Sequence, residues 1–327
     1  MKLYEAIQPY LDWRKARNFA AATYIQNESN LRQFTIFMRN CDISEVTEKD
    51  VLDYFRLLEG EMKIENNSII PKSSALRQFF KYWNQRCLST MDFNCIPMPR
   101  QERKFPKITN KEDYAKFWGA VIVPSHDSRI IRNRALFGIL AATGMRNGEA
   151  CGLRLENVNV EKGTDVGNGV MMYRGVVKTE KSRGMRPFRE IFWSEAVNEH
   201  VKAWLKRREE IHARHPFQQP EFLFVGLNGR SGEDGWGRAL KPNSIDELFR
   251  VYSKKSGVKI RPHMLRHMLG RDMAKNNASD HVISDVLGHS RLDSSRIYTM
   301  LFGTDVAQQF NRFRGEEVAP ELVKHQK

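Results

Sequence analysis

The sequence predicts a mainly α-helical fold with a small β-sheet, split between two domains. Three observations carry that expectation. The chain has 327 residues, well beyond the length of a typical single domain. Its first hundred residues show apolar positions at three- and four-residue spacing and no alternating run. Beyond a proline-rich stretch, two short apolar runs stand among further helical segments and flank a polar turn, which is the pattern of a hairpin.

Taken in order, Tyr10-Leu11-Asp12-Trp13 and Ala20-Ala21-Ala22-Thr23-Tyr24 carry a helical stripe that Leu31, Phe34 and Met38 continue on a second segment. Thr47-Glu48-Lys49-Asp50 reads as a capped start to Val51-Leu52-Asp53-Tyr54-Phe55. Pro71-Lys72-Ser73-Ser74 opens another helix, whose Leu76, Phe79, Phe80 and Trp83 face a core. Together these make a compact helical bundle over residues 1–95. Residues 96–108 form a linker in which prolines suppress helix and sheet alike. Lys104 and Lys107 suit a strap across a phosphate backbone, and a solvated connection explains them as well.

The second domain, 109–300, begins with helices at 110–122 and 128–143. The hairpin pairs Val170–Val177 with Phe188–Phe192 around a turn at 179–186. Helices resume at 195–212, at 243–256 and after Pro262. A glycine-rich loop at 226–237 lacks the GxxxxGK[ST] order of a phosphate cradle and reads as a flexible connection. A tail, 301–327, follows.

Composition narrows the function. Lys and Arg number 53 against 39 Asp and Glu, a net charge of +14, with 41% hydrophobic residues. That describes a folded, basic protein. The excess is uneven: residues 1–100 hold 14 basic and 12 acidic side chains, so nearly all of it falls in the second part. A concentrated basic excess is what a polyanion-binding protein needs, because each neutralised phosphate releases counterions. No run is apolar enough to span a membrane, and the N-terminus has no signal-peptide stretch. Cys41, Cys87, Cys95 and Cys151 are too scattered for a disulfide framework or a zinc site, which fits a reducing cytoplasm.

Four segments carry candidate chemistry. In Thr143-Gly144-Met145-Arg146-Asn147-Gly148-Glu149 a helix stops at Gly144, and Arg146 lies on the turn into the next, where its fork can meet an anion bidentately. The hairpin tip Lys178-Thr179-Glu180-Lys181-Ser182-Arg183-Gly184-Met185-Arg186 can lie in a groove and deliver a lysine to a phosphate, with Lys181, Arg183 and Arg186 as further contacts. Pro262 starts a helix that sets His263 and Arg266 on one face. His263 and His267 have the spacing of a zinc pair, but no HExxH glutamate or third ligand accompanies them. Leu287-Gly288-His289 precedes Tyr298 by nine residues or more.

In that order and spacing, Arg146, Lys178, His263-x-x-Arg266, Leu287-Gly288-His289 and Tyr298 resemble the active site of the tyrosine recombinases, the phage-integrase family. The resemblance spans nearly the whole chain and places six residues in four separated motifs. It implies a C-shaped clamp, in which a helical, SAM-like core-binding domain faces an α+β catalytic domain. It implies Tyr298 as the nucleophile that forms a 3′-phosphotyrosyl intermediate and frees a 5′-hydroxyl. Arg146 and Arg266 would hold the non-bridging oxygens, Lys178 (or Lys181) would protonate the 5′ oxygen, His263 would bond the phosphate or accept the tyrosine proton, and His289 would bond the phosphate or its surroundings. Glu149 would orient its neighbours.

No cofactor or metal is implied. The implied partners are double-stranded DNA with inverted-repeat half-sites and further copies of the chain, as a dimer and a synaptic tetramer that passes through a Holliday junction. An accessory protein is compatible with this and membrane is not. Asn276-Asn277 replaces a common glycine turn, and Ser294-Ser295 stands where threonines are usual. Val306, Phe310 and Phe313 have helical spacing and either dock on a neighbouring protomer or fold back. Relaxation of DNA like that of a type IB topoisomerase, and DNA binding without catalysis, are the competing functions. Integration, excision, resolution and inversion would all use the same site.

Overall fold

The computed structural model describes residues 1–17, 21–101, 107–179, 187–228 and 236–289. They divide between two compact units, Met1–Lys104 and Phe105–Lys327. No helix among the described residues is long and apolar enough to cross a membrane.

The first unit is all helical: α1 (Leu3–Ala16), α2 (Ala21–Phe37), α3 (Glu48–Arg56), which runs into a short π-helical turn at Leu57–Glu61, and α4 (Asn66–Asn84). Thr47 caps α3 as expected. Its hydroxyl accepts from the Asp50 amide, and the Asp50 carboxylate accepts from the Thr47 amide at 2.9 Å. Leu31 and Phe34 from α2, Tyr54 from α3 and Phe79, Phe80 and Trp83 from α4 bury together with Tyr10 and Leu11. Their rings meet edge to face, as Tyr10 does with Phe79 and Phe34 with Tyr54, at 5.5 and 5.2 Å.

Two details depart from the sequence pattern. Pro71 does not open α4; it lies inside a helix that starts at Asn66, just as Pro9 lies inside α1. The upstream turn is held by Ile69, fully buried, which extends the inward stripe of Ser73, Leu76 and Phe80 by one more turn. Ile96, which the prolines assign to the linker, also packs into this core, and its carbonyl accepts from the Arg77 side chain at 3.0 Å.

The second unit contains α5 (Lys111–Val121), α6 (Ser128–Thr143), the short α7 (Asn147–Cys151), an antiparallel sheet in the order β1-β2-β3, and then α8 (Glu195–Arg214), α9 (Pro242–Ser256), α10 (Pro262–Lys275) and α11 (Asp280–Leu287). The strands are β1 (Val158–Asp165), β2 (Met171–Lys178) and β3 (Phe188–Ser194). The expected hairpin is β2 and β3, paired from Met172↔Ser194 to Lys178↔Phe188.

β1 escapes the alternation test. It is an edge strand with one buried residue, Val160, and its register slips between Asn159 and Thr164. Behind the sheet, Trp193 and Trp204 are fully buried, and their indole N–H groups are satisfied by Asn198 and by the Leu223 carbonyl at 3.0 and 2.9 Å. Phe117, Phe137, Phe249 and Tyr252 knit α5, α6 and α9 together. The glycine-rich loop is pinned at its base, where Gly226 donates to the Arg238 carbonyl and Gly237 donates to that of Gly226. Residues 229–235 lie outside the described residues.

Candidate active site

Three helix ends meet in the second unit. α6 stops at Gly144, whose φ of +57° is left-handed. A Cβ there would come within 2.8 Å of the Leu287 side chain, so both the backbone conformation and the close approach of α11 require glycine. The turn that follows places Arg146 at the N-cap of α7. Its amide donates to Glu149 Oε2 and its Nη1 to Glu149 Oε1, each at 2.9 Å. The same Nη1 reaches the Gly288 carbonyl at 3.4 Å. Arg146 is thus aimed by a carboxylate three residues on and by a loop 142 residues away.

Arg266 lies one turn into α10 and is almost wholly buried, at 4% exposure. Its Nη1 donates to the Gly144 carbonyl at 2.6 Å and its Nη2 to that of Leu287 at 2.5 Å. One guanidinium therefore clasps the C-terminal ends of α6 and α11. α11 ends like α6, on a left-handed glycine, Gly288 with φ +64°. His289 follows; its amide donates to the Ser284 carbonyl at 2.9 Å, and the Ser284 hydroxyl donates to the His289 carbonyl at 3.3 Å.

The electrostatics follow from this crowding of cations. Burial and then the charges of Arg266 and Arg146 push the His289 imidazole down to about 3. Burial, His263 and Arg266 push His267 down to about 4. Both rings are neutral near pH 7. Burial works to raise the Glu149 carboxyl, but the Arg189 charge, the Arg146 amide and the Arg146 charge outweigh it and hold the carboxyl below its usual range. His263, in the first turn of α10, is exposed.

The sequence does not single out Arg189. It stands at the second position of β3 with its side chain buried, and its Nη2 donates to Glu149 Oε2 at 3.1 Å. Its Nη1 donates to the Val286 carbonyl. The signal was present: in Phe188-Arg189-Glu190-Ile191-Phe192-Trp193, the arginine falls in phase with Ile191 and Trp193, on the core face. A charge on the core face of a strand implies a buried partner.

Of the expected residues, Arg146, Glu149, Arg266 and His289 meet in this one frame, with His263 on the same helix as Arg266. Lys178 does not join them. It is exposed at the end of β2, opposite Phe188, while the next residue, Thr179, turns inward beside Gly288. Strand alternation thus sends Lys178 to the face opposite Arg189. Lys107 is exposed just ahead of α5. Tyr298, Lys104, Lys181, Arg183, Arg186 and the tail with Val306, Phe310 and Phe313 lie outside the described residues. Asn277 adopts a φ of +61°, absorbing the turn where a glycine was expected.

The chain is 25% identical over 288 residues to "Tyrosine recombinase XerC" of Bacillus subtilis (strain 168), covering 86% of this chain and 87% of that one. It is 24% identical over 298 residues to "Tyrosine recombinase XerA" of Pyrococcus furiosus, covering 89% and 91%. Among solved structures it is similar to the XerH site-specific recombinase bound to palindromic difH substrate, with a TM-score of 0.66 at 19% identity over 92% of this chain and 82% of that one. It is also similar to a lambda integrase dimer bound to a core site, with a TM-score of 0.61 at 16% identity over 91% and 95%. The model of the phage integrase family matches residues 109–303, a span that contains every member of the arginine frame, and the chain belongs to that family, the tyrosine recombinases.

Proposed function

We propose that the protein is a site-specific DNA recombinase that cleaves and rejoins strands through Tyr298. The observation that carries this reading is the frame just described. Arg146 and Arg266, 120 residues apart in sequence, are fixed in one network beside a neutral His289. Both frame bonds of the Arg146 side chain use Nη1, which in this reading leaves Nε and Nη2 to meet the phosphate. Preorganised guanidinium donors supply the charge stabilisation that dominates phosphoryl transfer.

In the proposed step the Tyr298 oxygen attacks phosphorus, a phosphorus–oxygen bond to tyrosine forms, and the bond to the 5′ oxygen breaks. The 5′ oxygen takes a proton from a hairpin lysine, Lys178, with Lys181 as the alternative. Lys178 is exposed, so DNA bound on its face of the sheet can reach it. The tyrosine proton passes to His263. His289, neutral across the physiological range, serves as a hydrogen-bond donor to the phosphate and not as a cation. Attack of the freed 5′-hydroxyl of another strand reverses the chemistry, so no external energy source is needed.

Two protomers on inverted half-sites, paired as a tetramer, would exchange strands through a Holliday junction. Each would bind DNA with Lys104, Lys107, Lys181, Arg183 and Arg186 on the backbone. The lambda integrase tetramer bound to a Holliday junction, a structural neighbour with a TM-score of 0.60, supports this assembly. A DNA substrate favours action in the cytoplasm.

The test exposes the purified chain to nicked, fragmented DNA of its host and sequences whatever remains attached through SDS. One inverted-repeat sequence, absent with Tyr298→Phe, is the expected result. Adducts scattered over unrelated sequences would instead assign a topoisomerase. DNA binding with no adduct would assign a non-catalytic role.

A further inference from the structure

Arg189 is bound at both ends. On one side it shares Glu149 with Arg146, each cation on its own arm: Nη2 of Arg189 on Oε2, and Nη1 of Arg146 on Oε1. On the other side its Nη1 holds the Val286 carbonyl, two residues before Gly288. Its stem lies directly against Gly288, where a Cβ would come within 2.7 Å of the Arg189 Cδ and 2.9 Å of its Nε. Gly288 in turn accepts from Arg146 and is followed by His289. The frame therefore closes as a ring, from Arg146 to Glu149 to Arg189 to the end of α11 and back to Arg146.

We propose that Arg189 is a positioning residue for the strand-cleavage step, which holds Glu149 and the Val286–His289 turn in place so that Arg146 and His289 meet the phosphate together; this rests on the recombinase reading above. The physical reason is the division of the carboxylate. With Arg189 on Oε2, Glu149 is satisfied while taking a single nitrogen from the Arg146 side chain. Without it, Oε2 keeps only the Arg146 amide, and the buried carboxylate, short of one charged donor, draws the whole Arg146 fork inward, away from the phosphate. The turn bearing His289 loses its tie to β3 at the same time. Arg189 touches neither phosphate nor tyrosine in this scheme. Its effect is on where its neighbours stand.

The geometry also predicts which substitutions succeed. Lysine keeps the charge, but its single ammonium cannot span the Glu149 carboxylate and the Val286 carbonyl as the fork does. Methionine keeps the stem that packs on Gly288 and removes every donor.

The experiment uses the full chain and a nicked duplex that carries the inverted repeat recovered from the library above. Cleavage is followed in single turnover at saturating DNA, beside the Kd for the same duplex and the melting temperature. Arg189→Met should slow cleavage by about 100-fold, the scale of a small displacement of catalytic groups, with Kd within about threefold. Arg189→Lys should recover part of the loss. In a cycle with Glu149→Gln, the double variant should be no slower than the slower single variant, since both act through the same contact.

Cleavage within about twofold of the parent in Arg189→Met would overturn the proposal. So would losses that add in full across the cycle, or equal loss of Kd, melting temperature and cleavage in both the Met and the Lys variants, which would make Arg189 a folding residue alone. A parent chain that forms no adduct overturns the recombinase reading itself, and is told apart because it appears before any substitution at Arg189.

Discussion

In the first unit, Tyr10, Phe34, Tyr54, Phe79 and Phe80 lock four helices together through ring contacts. In the second, the ends of α6, α10 and α11 are joined by guanidinium bonds to backbone carbonyls, across 122 and 21 residues of sequence. The bundle is non-directional, and a ring of similar volume can replace another at modest cost. The arginine frame is directional, and removing one donor strands buried acceptors with no substitute. Stability is spread over many residues in one unit. Around the site of the other it is concentrated in a few bonds that also aim the chemistry.

The sharpest way to break this contrast is Arg266→Ala. It removes the proposed phosphate ligand and leaves the carbonyls of Gly144 and Leu287 without their donor. Cleavage should fall by about 1000-fold, and the second unit should lose about 2 kcal/mol as well. Hydrogen exchange on the intact chain would read the two units separately, and the loss should appear at 140–150 and 284–289 while α4 is unchanged. Phe79→Ala is the mirror experiment. It should destabilise the bundle by about 4 kcal/mol in a denaturant titration, with no added exchange in α10 or α11. If either substitution loosens both units equally, they do not respond separately and the contrast fails.

Acid sharpens the comparison further, because all nine histidines lie beyond residue 100. His289 and His267 are held at about 3 and about 4 against an ordinary 6.5. Below pH 6.5 the unfolded chain takes up protons that the folded chain refuses. The stability due to these neutral rings is therefore complete above pH 6.5 and drains away as the pH falls toward 4 and then 3. Protection factors around 263–289, which remove the intrinsic pH dependence of amide exchange, should fall between pH 7 and 5 with those of α4 flat, and His289→Asn should reduce the slope. A uniform acid response in both units would contradict it. Thr47→Ala sets the small end of the scale. Loss of that cap should cost the bundle about 1 kcal/mol by urea titration and leave cleavage untouched.

The same contrast explains what could be read from the sequence. The helices and the β2–β3 hairpin follow from apolar periodicity, a local property that Phe79 or Ile191 announces by its spacing. Arg146, Arg266 and His289 were legible because each sits in a short segment with its own pattern. What periodicity misses is pairing between distant segments. Arg189 looks like one more charge in a basic hairpin until the strand phase shows it facing inward, and its partner Glu149 lies 40 residues upstream. β1 was illegible for the opposite reason. An edge strand with one buried residue has almost no apolar signature to read. Lys178 is a third case: a motif fixes its place in the chain but says nothing of the face that the pleat gives it.

The span of the frame has a bearing on synthesis. The clasp between Arg266 and Gly144 crosses 122 residues, and that between Arg146 and Gly288 crosses 142. A ribosome delivers the bundle first, and its helices can pack while the rest is still being translated. The ends of α6 and α7, by contrast, must wait for residues 266–289 to leave the exit tunnel before either arginine is held in place. A nascent chain that has not yet exposed residue 289 therefore carries no assembled frame, however well its bundle has folded.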